Sequence, residues 1–221
     1  MEGARGRSKG RLLHFMRTCV YIDAFNLYFG ALKNTPYRWL DLSKFCQRLL
    51  PKNEIHRIKY YTALVTARPN DTLQPVRQQF YLRALRTLPN VEIHLGHFLS
   101  HKVTMSNANP PPNFVQVIKT EEKGSDVNIA AHLLADGFTD QYDAAVVISN
   151  DSDLAEPVRI VSQQIKKTIG VINPQVKSHP SKELRRYANF FRQLRPSVLS
   201  TCQFPRDLAD STGPFYKPKT W

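Results

Sequence analysis

The sequence predicts an α/β domain with a mostly parallel central sheet, helices on both of its faces, and a β-hairpin insertion. Three observations lead there. Short runs rich in Val, Ile and Tyr alternate with segments of helical spacing, the pattern of strand–helix–strand units. Two of these runs, TCVYID and AAVVIS, read as buried strands. Three consecutive prolines, Pro110, Pro111 and Pro112, sit between two β-like stretches and mark a rigid hairpin tip.

Residues 18–23 form the first predicted strand, which ends on Asp23. Residues 25–32 read as a short helix or turn. Residues 42–50 are helical, with Asp41 as N-cap, and Pro51 and Asn53 break them. Residues 55–65 are a strand. Residues 72–88 have helical spacing through Val76, Phe80, Leu82 and Leu85, and residues 91–99 are the next strand. The stretches 103–105 and 114–118 pair as the hairpin. Residues 126–136 are helical and 144–149 a buried strand. Residues 153–164 follow as a helix that tolerates Pro157 in its first turn. A strand at 168–172, a helix at 181–187 and a last strand at 190–194 complete the domain. The expected organisation is therefore a basic flexible arm (1–17), one domain (18–195) and a tail (196–221) in which the pattern fades.

The chain of 221 residues is long enough for a substantial core, and 42% of it is hydrophobic. No run approaches the roughly 18 apolar residues of a membrane helix, and no signal peptide is read, so a cytoplasmic protein is expected. Cys19, Cys46 and Cys202 are odd in number and lie far apart, which argues for reduced thiols. Charge is more informative. The net charge is +13, yet residues 121–156 hold nine acids and one lysine, a window of −8 within a remainder of +21. Basic surface attracts polyanions by counterion release. A carboxylate cluster would repel the same polyanion unless a cation neutralised it. Together the two features point to phosphodiester chemistry.

Chain direction places the acids. Asp23 ends one strand, and Asp151 follows directly on the strand AAVVIS. Asp126 opens the helix leading into that strand, and Asp153 begins the helix after it. A crossover helix starts at the carboxyl edge of a parallel sheet, where ligands bind. If the two strands are neighbours, Asp23, Asp126, Asp151 and Asp153 share one pocket. Taken singly, Asp126 and Asp153 are also ordinary first-turn acids, and Asp23 and Asp151 ordinary Asx-turn residues. Crowded carboxylates need raised pKa values or a hard cation. Mg²⁺ or Mn²⁺ takes oxygen ligands, keeps waters for a substrate, and can activate one for in-line hydrolysis.

Three segments, YIDAFNLYFG, EEKGSDVNIAAHLLADGF and DAAVVISNDSDLAEPVR, resemble the acidic motifs of the NYN domain family in order and spacing. That family is the LabA-like branch of the PIN-like nucleases, and the resemblance spans about residues 18–195. It implies a three-layer Rossmann-like (PIN-like) sandwich and a metal-dependent endoribonuclease. It also implies that Asp23, Asp126, Asp151 and Asp153 are catalytic and metal-holding. Asn26 matches the family's asparagine three residues after the first acid. Asn150 stands where the family usually has glycine, and Leu154 where it often has an aromatic. Neither departure removes a ligand.

Other residues carry weaker signals. Asn26 can hold a ligand or a phosphate by hydrogen bonding. Lys123, the lone cation of the acidic window, is a candidate for the scissile phosphate. Arg185, Arg186 and Arg192, interleaved with Tyr187, Phe190 and Phe191, suit stacked bases and phosphates of single-stranded RNA. His94, His97 and His101 are poorly spaced for one zinc ion, because His94 and His97 face opposite sides of a strand. RNA is the expected partner and no organic cofactor is expected, since GxGxxG and GxxxxGK[ST] are absent. A homodimer is compatible with the sequence. A catalytically silent RNA-binding module and a DNA-directed nuclease of the same fold are the alternatives. A haloacid-dehalogenase-type phosphatase ranks low, because Phe25 stands where it needs a second acid.

Overall fold

The computed structural model describes residues 16–176, 178–219 and 221. Of the expected N-terminal arm, all but Met16 and Arg17 lies outside the described residues. One sheet contains β1 (Arg17–Asp23), β2 (Glu54–Ala63), β3 (Val91–Ser106), β4 (Phe114–Lys123), β5 (Ala144–Ile148), β6 (Thr168–Asn173) and β7 (Phe190–Gln193). Its order is β4-β3-β2-β1-β5-β6-β7. Only β4 runs antiparallel to its neighbour.

Helices cover both faces. They are α1 (Ala24–Leu27, continued by a π turn over Tyr28–Leu32), α2 (Leu42–Leu49), α3 (Gln74–Leu85), α4 (Ser125–Phe138), α5 (Ala155–Ile160), α6 (Lys182–Tyr187) and α7 (Pro196–Ser200). Alternation along β1 sets the layers. Val20 and Ile22 enter one core with Leu27, Phe45, Leu82 and Leu85. Cys19 and Tyr21 enter the other with Ile129, Leu133, Val158 and Leu184. Burial on both faces explains why β1 and β5 lack polar alternation. The result is a three-layer α/β sandwich.

Local chemistry sets the element ends. Asp41 caps α2 by accepting from the Lys44 N–H at 3.0 Å. Leu42, Phe45 and Cys46 then put the buried stripe of α2 on the sheet. The three cysteines are free and buried.

Two segments differ from the sequence expectation. The strand expected at 91–99 and the first hairpin stretch at 103–105 are one 16-residue strand, β3. Its outer half pairs with β4 alone, from His97↔Lys123 to Ser106↔Phe114. Beyond Pro196 the chain does not trail off as a tail. Leu199, Cys202, Phe204 and Phe215 are buried in the core beside Trp39. A small hairpin, β8 (Asp207–Asp210) with β9 (Gly213–Tyr216), is tied to α3 by Arg83, which clasps Asp210 at 2.7 and 2.8 Å. These pieces are four or five residues long, too short for a periodic signal, and only long-range contact orders them.

The hairpin also changes how Asp126 reaches the carboxyl edge. Because β4 returns antiparallel, it ends level with His97, where β3 leaves the main sheet. Gly124, at φ 101°, turns the chain into α4 there. Gly96 permits the close approach: a Cβ on it would collide with the Glu122 carboxylate and the Lys123 carbonyl oxygen.

Candidate active site

β1 and β5 are neighbours, with Ile22 opposite Ile148, so their ends deliver Asp23 and the Ser149–Asp151 turn side by side. Asp23 is 5% exposed. It caps α1 by accepting from the Asn26 N–H at 2.9 Å, and its other oxygen accepts from the Ser149 hydroxyl at 3.0 Å. Ser149 Oγ in turn accepts from the Asp151 N–H at 3.1 Å. Asp151 accepts from the Asp153 N–H at 3.0 Å, which opens the 3₁₀ turn Ser152–Leu154.

Asn26 buttresses this turn. Its Oδ1 accepts from the Asn150 N–H at 3.1 Å and from Gln175 Nε2 at 2.8 Å. Asn150 has a fixed task as well. Its amide donates to the His179 carbonyl at 3.1 Å and accepts from the Ser181 N–H at 2.8 Å, fastening the loop before α6. Glu122 accepts from the Ser125 hydroxyl at 2.9 Å and so holds the start of α4, one residue before Asp126.

A cavity of about 410 Å³ opens on this edge. Asp23, Asn26, Asp126 and Asp151 line it, as does Glu122, which the sequence did not single out as a site residue. Asp153 is exposed and does not line it. Neither do Lys123, Arg185, Arg186 or Arg192. Lys123 pairs with Glu121 at 3.2 Å on the opposite face of β4 from Glu122. Arg192 donates to the Leu49 carbonyl at 3.1 Å and lies over Phe190. Arg185 and Arg186 are exposed in the last turn of α6.

The acidic window sorts itself by pairing. Glu121, Asp136, Asp140, Asp143 and Glu156 each meet a Lys or Arg. Glu122, Asp126, Asp151 and Asp153 have no such partner among the described residues, and neither has Asp23. Burial raises the Asp23 pKa despite the hydrogen bonds from Asn26 and Ser149 that lower it. Burial, reinforced by Asp23, Asp151 and Glu122, pushes Asp126 up to about 6.

Oxygen-rich, uncompensated and cavity-lining, this donor set fits a hard divalent cation in its chemistry. Asp23 keeps lone pairs beyond those its hydrogen bonds use. Among the described residues, no three Asp, Glu, His or Cys side chains stand close enough to share one ion. Asp126 and Asp151 are only half-buried, unlike Asp23.

The comparisons agree with this architecture. The profile of the NYN domain matches residues 17–195. The chain belongs to the NYN domain family. A curated relative, the 6-hydroxy-3-succinoylpyridine 3-monooxygenase HspA of Pseudomonas putida, is 32% identical over 238 residues, covering 93% of this chain and 75% of the relative. A crystal structure of a protein of unknown function from Vibrio parahaemolyticus superposes with a TM-score of 0.54 at 17% identity, covering 86% of this chain and 97% of that one. That likeness concerns the fold alone. The NYN assignment carries a nuclease-like fold with it. Among the described residues of this NYN chain, no helix is long and apolar enough to cross a membrane.

Proposed function

We propose that this protein is a divalent-metal-dependent ribonuclease acting at the cavity on the carboxyl edge of the sheet. One observation carries the reading: in a chain of net charge +13, four carboxylates without a cation partner among the described residues, Asp23, Glu122, Asp126 and Asp151, line that cavity together. Asp23, Asp126 and Asp151 would hold Mg²⁺ or Mn²⁺, which would supply positive charge at the attacked phosphate and favour a deprotonated water. Asp23 is the rigid member, fixed by Asn26 and Ser149. Asp153, exposed two residues after Asp151, would accept the proton of the attacking water or orient it. Water adds to phosphorus, the 3′-oxygen leaves, and the products carry 5′-phosphate and 3′-hydroxyl ends. The basic remainder of the chain favours a polyanionic substrate. The preference for RNA over DNA draws on the family resemblance.

The test is incubation of wild type and Asp151→Asn with labelled RNA and DNA, in Mn²⁺ or in EDTA, with end mapping. Metal-dependent RNA cleavage lost in the variant is expected. Equal cleavage by the variant, or persistence in EDTA, would overturn the assignment. RNA binding without cleavage at any Mn²⁺ concentration would identify a silent binding module instead.

A second reading follows the name of the HspA relative, hydroxylation of a pyridine ring that bears a succinoyl chain. The aromatic lining of the cavity favours it, because such a molecule is a flat ring carrying a carboxylate. Consumption of 6-hydroxy-3-succinoylpyridine in the presence of oxygen and a nicotinamide or flavin reductant would support it.

A further inference from the structure

The cavity continues past the aspartates, and its other end has different chemistry. Arg38 and Trp221 form a wall there, with the guanidinium carbon 6.0 Å from the indole centroid. Arg38 Nε and Trp221 Nε1 are shut off from solvent, and neither has a hydrogen-bond partner among the described residues. Arg38 also makes no ion pair among the described residues. Two adjacent buried donors without acceptors are rare in a folded protein and point to a missing acceptor. The other cavity arginines differ. Arg77 is committed to Asp71, and Arg68 lies exposed.

The space between the two ends is aromatic. Trp221 meets Tyr81 at 5.5 Å, and Tyr81 meets Tyr60 at 6.3 Å. Tyr60 lies one strand over from Asp23 and has no hydrogen bond from its hydroxyl among the described residues. Beside the acids, Phe25 packs edge-on against Phe98 at 5.6 Å and stacks with Phe29 at 6.4 Å. The volume of about 410 Å³ suits a small molecule or a single nucleotide.

We propose that Arg38 and Trp221 form an anion subsite, which binds the terminal anionic group of a ligand whose flat ring lies between the Tyr60 and Phe25–Phe98 walls. The required chemistry is a planar aromatic ring carrying a terminal phosphate or carboxylate. A 5′-phosphorylated nucleotide and a free aryl acid both have it. The subsite does not depend on metal or on cleavage, so its test is separate from that of the ribonuclease reading.

The test is calorimetric titration in EDTA, with AMP against adenosine and 4-phenylbutyrate against 4-phenylbutanol. For whichever pair binds, the anionic member is expected to bind at least about tenfold tighter, as a charge-assisted hydrogen bond implies. Arg38→Met should abolish that preference. Trp221→Phe keeps the ring and loses the N–H, and should weaken the anion about fivefold. Arg38→Met should melt no lower than wild type, since it removes an unsatisfied donor; Trp221→Phe is read by binding alone, because the smaller ring also loses packing against Tyr81. AMP preference assigns the subsite to nucleotides, and phenylbutyrate preference assigns it to aryl acids. No binding by either anion, or anion binding unchanged in both variants, overturns the proposal.

Discussion

Asp136 and Asp23 are both buried beside this sheet, and the protein treats them oppositely. Asp136, on α4, receives Lys59 Nζ at 2.6 Å and the Tyr21 hydroxyl at 2.6 Å. Its charge is cancelled inside the second core, with side chains only 7% and 12% exposed for Lys59 and Asp136. Asp23, at the carboxyl edge, has one N–H and one hydroxyl and no cation among the described residues. The first arrangement is complete. The second leaves negative charge and lone pairs over, beside Asp126 and Asp151, which raise its cost further. The contrast separates a structural acid from one kept for a ligand, although both are buried and both belong to motifs of the sequence.

The sharpest way to break this contrast is at the structural pair. Lys59→Met should cost about 3–5 kcal/mol in urea unfolding, because it strands the Asp136 charge in the core. Lys59→Met with Asp136→Leu should recover to within about 1 kcal/mol of wild type, since an apolar pair of similar volume replaces both charges. If the double variant stayed as unstable as the single one, the Tyr21–Asp136 bond rather than the ion pair would be the main support.

At the edge, the expected effects are smaller and several have the opposite sign. Mn²⁺ at a hundred times its dissociation constant should stabilise wild type by about 2.7 kcal/mol and Asp151→Asn by much less, read as a melting shift. Asn26→Ala should cost about 1–2 kcal/mol by leaving the Asn150 N–H and Gln175 without their acceptor, and should lower the proposed nuclease activity by loosening the Asp151 turn.

The smallest effect carries the sign test. Asp126 has a folded pKa of about 6, above its ordinary value of 3.8. Its contribution is therefore intact below about pH 4 and is lost as pH rises through 6. Asp126→Asn has no proton to lose. In EDTA it should match wild type at pH 4 and melt about 2–4 °C higher at pH 7.5, an estimate of about 1 kcal/mol that allows for partial exposure. A variant that melts lower than wild type at pH 7.5 would show that Asp126 is structurally satisfied and not held in reserve.

Much of this was legible before any coordinates. The buried strands, the caps Asp23 and Asp41, and the placing of Asp23, Asp126 and Asp151 on one edge follow from local pattern and chain direction. The basic candidates were read from local pattern as well, and the fold sets them apart from the cavity. Lys123 is the lone cation within residues 121–156, yet strand alternation turns it away and gives the inward position to Glu122. The Arg185–Arg192 cluster has the composition of an RNA platform, but lines no part of the cavity. Phe25 and Phe98, 73 positions apart, meet only because α1 and β3 border the same cavity.

By itself the sequence determined the α/β class, the motif that marks the NYN family, and the gathering of carboxylates at one sheet edge. Periodicity and chain direction are local properties, and a parallel sheet converts them directly into position. Only the tertiary structure decided which acids are neutralised, where the segment after Pro196 packs, and that Arg38 and Trp221 share a wall with the aspartates' cavity. The Arg17–Asp143 pair, the packing of the last segment on Trp39 and the Arg38–Trp221 wall join residues more than a hundred positions apart, and the Lys59–Asp136 pair spans 77 positions, beyond the reach of any periodic pattern.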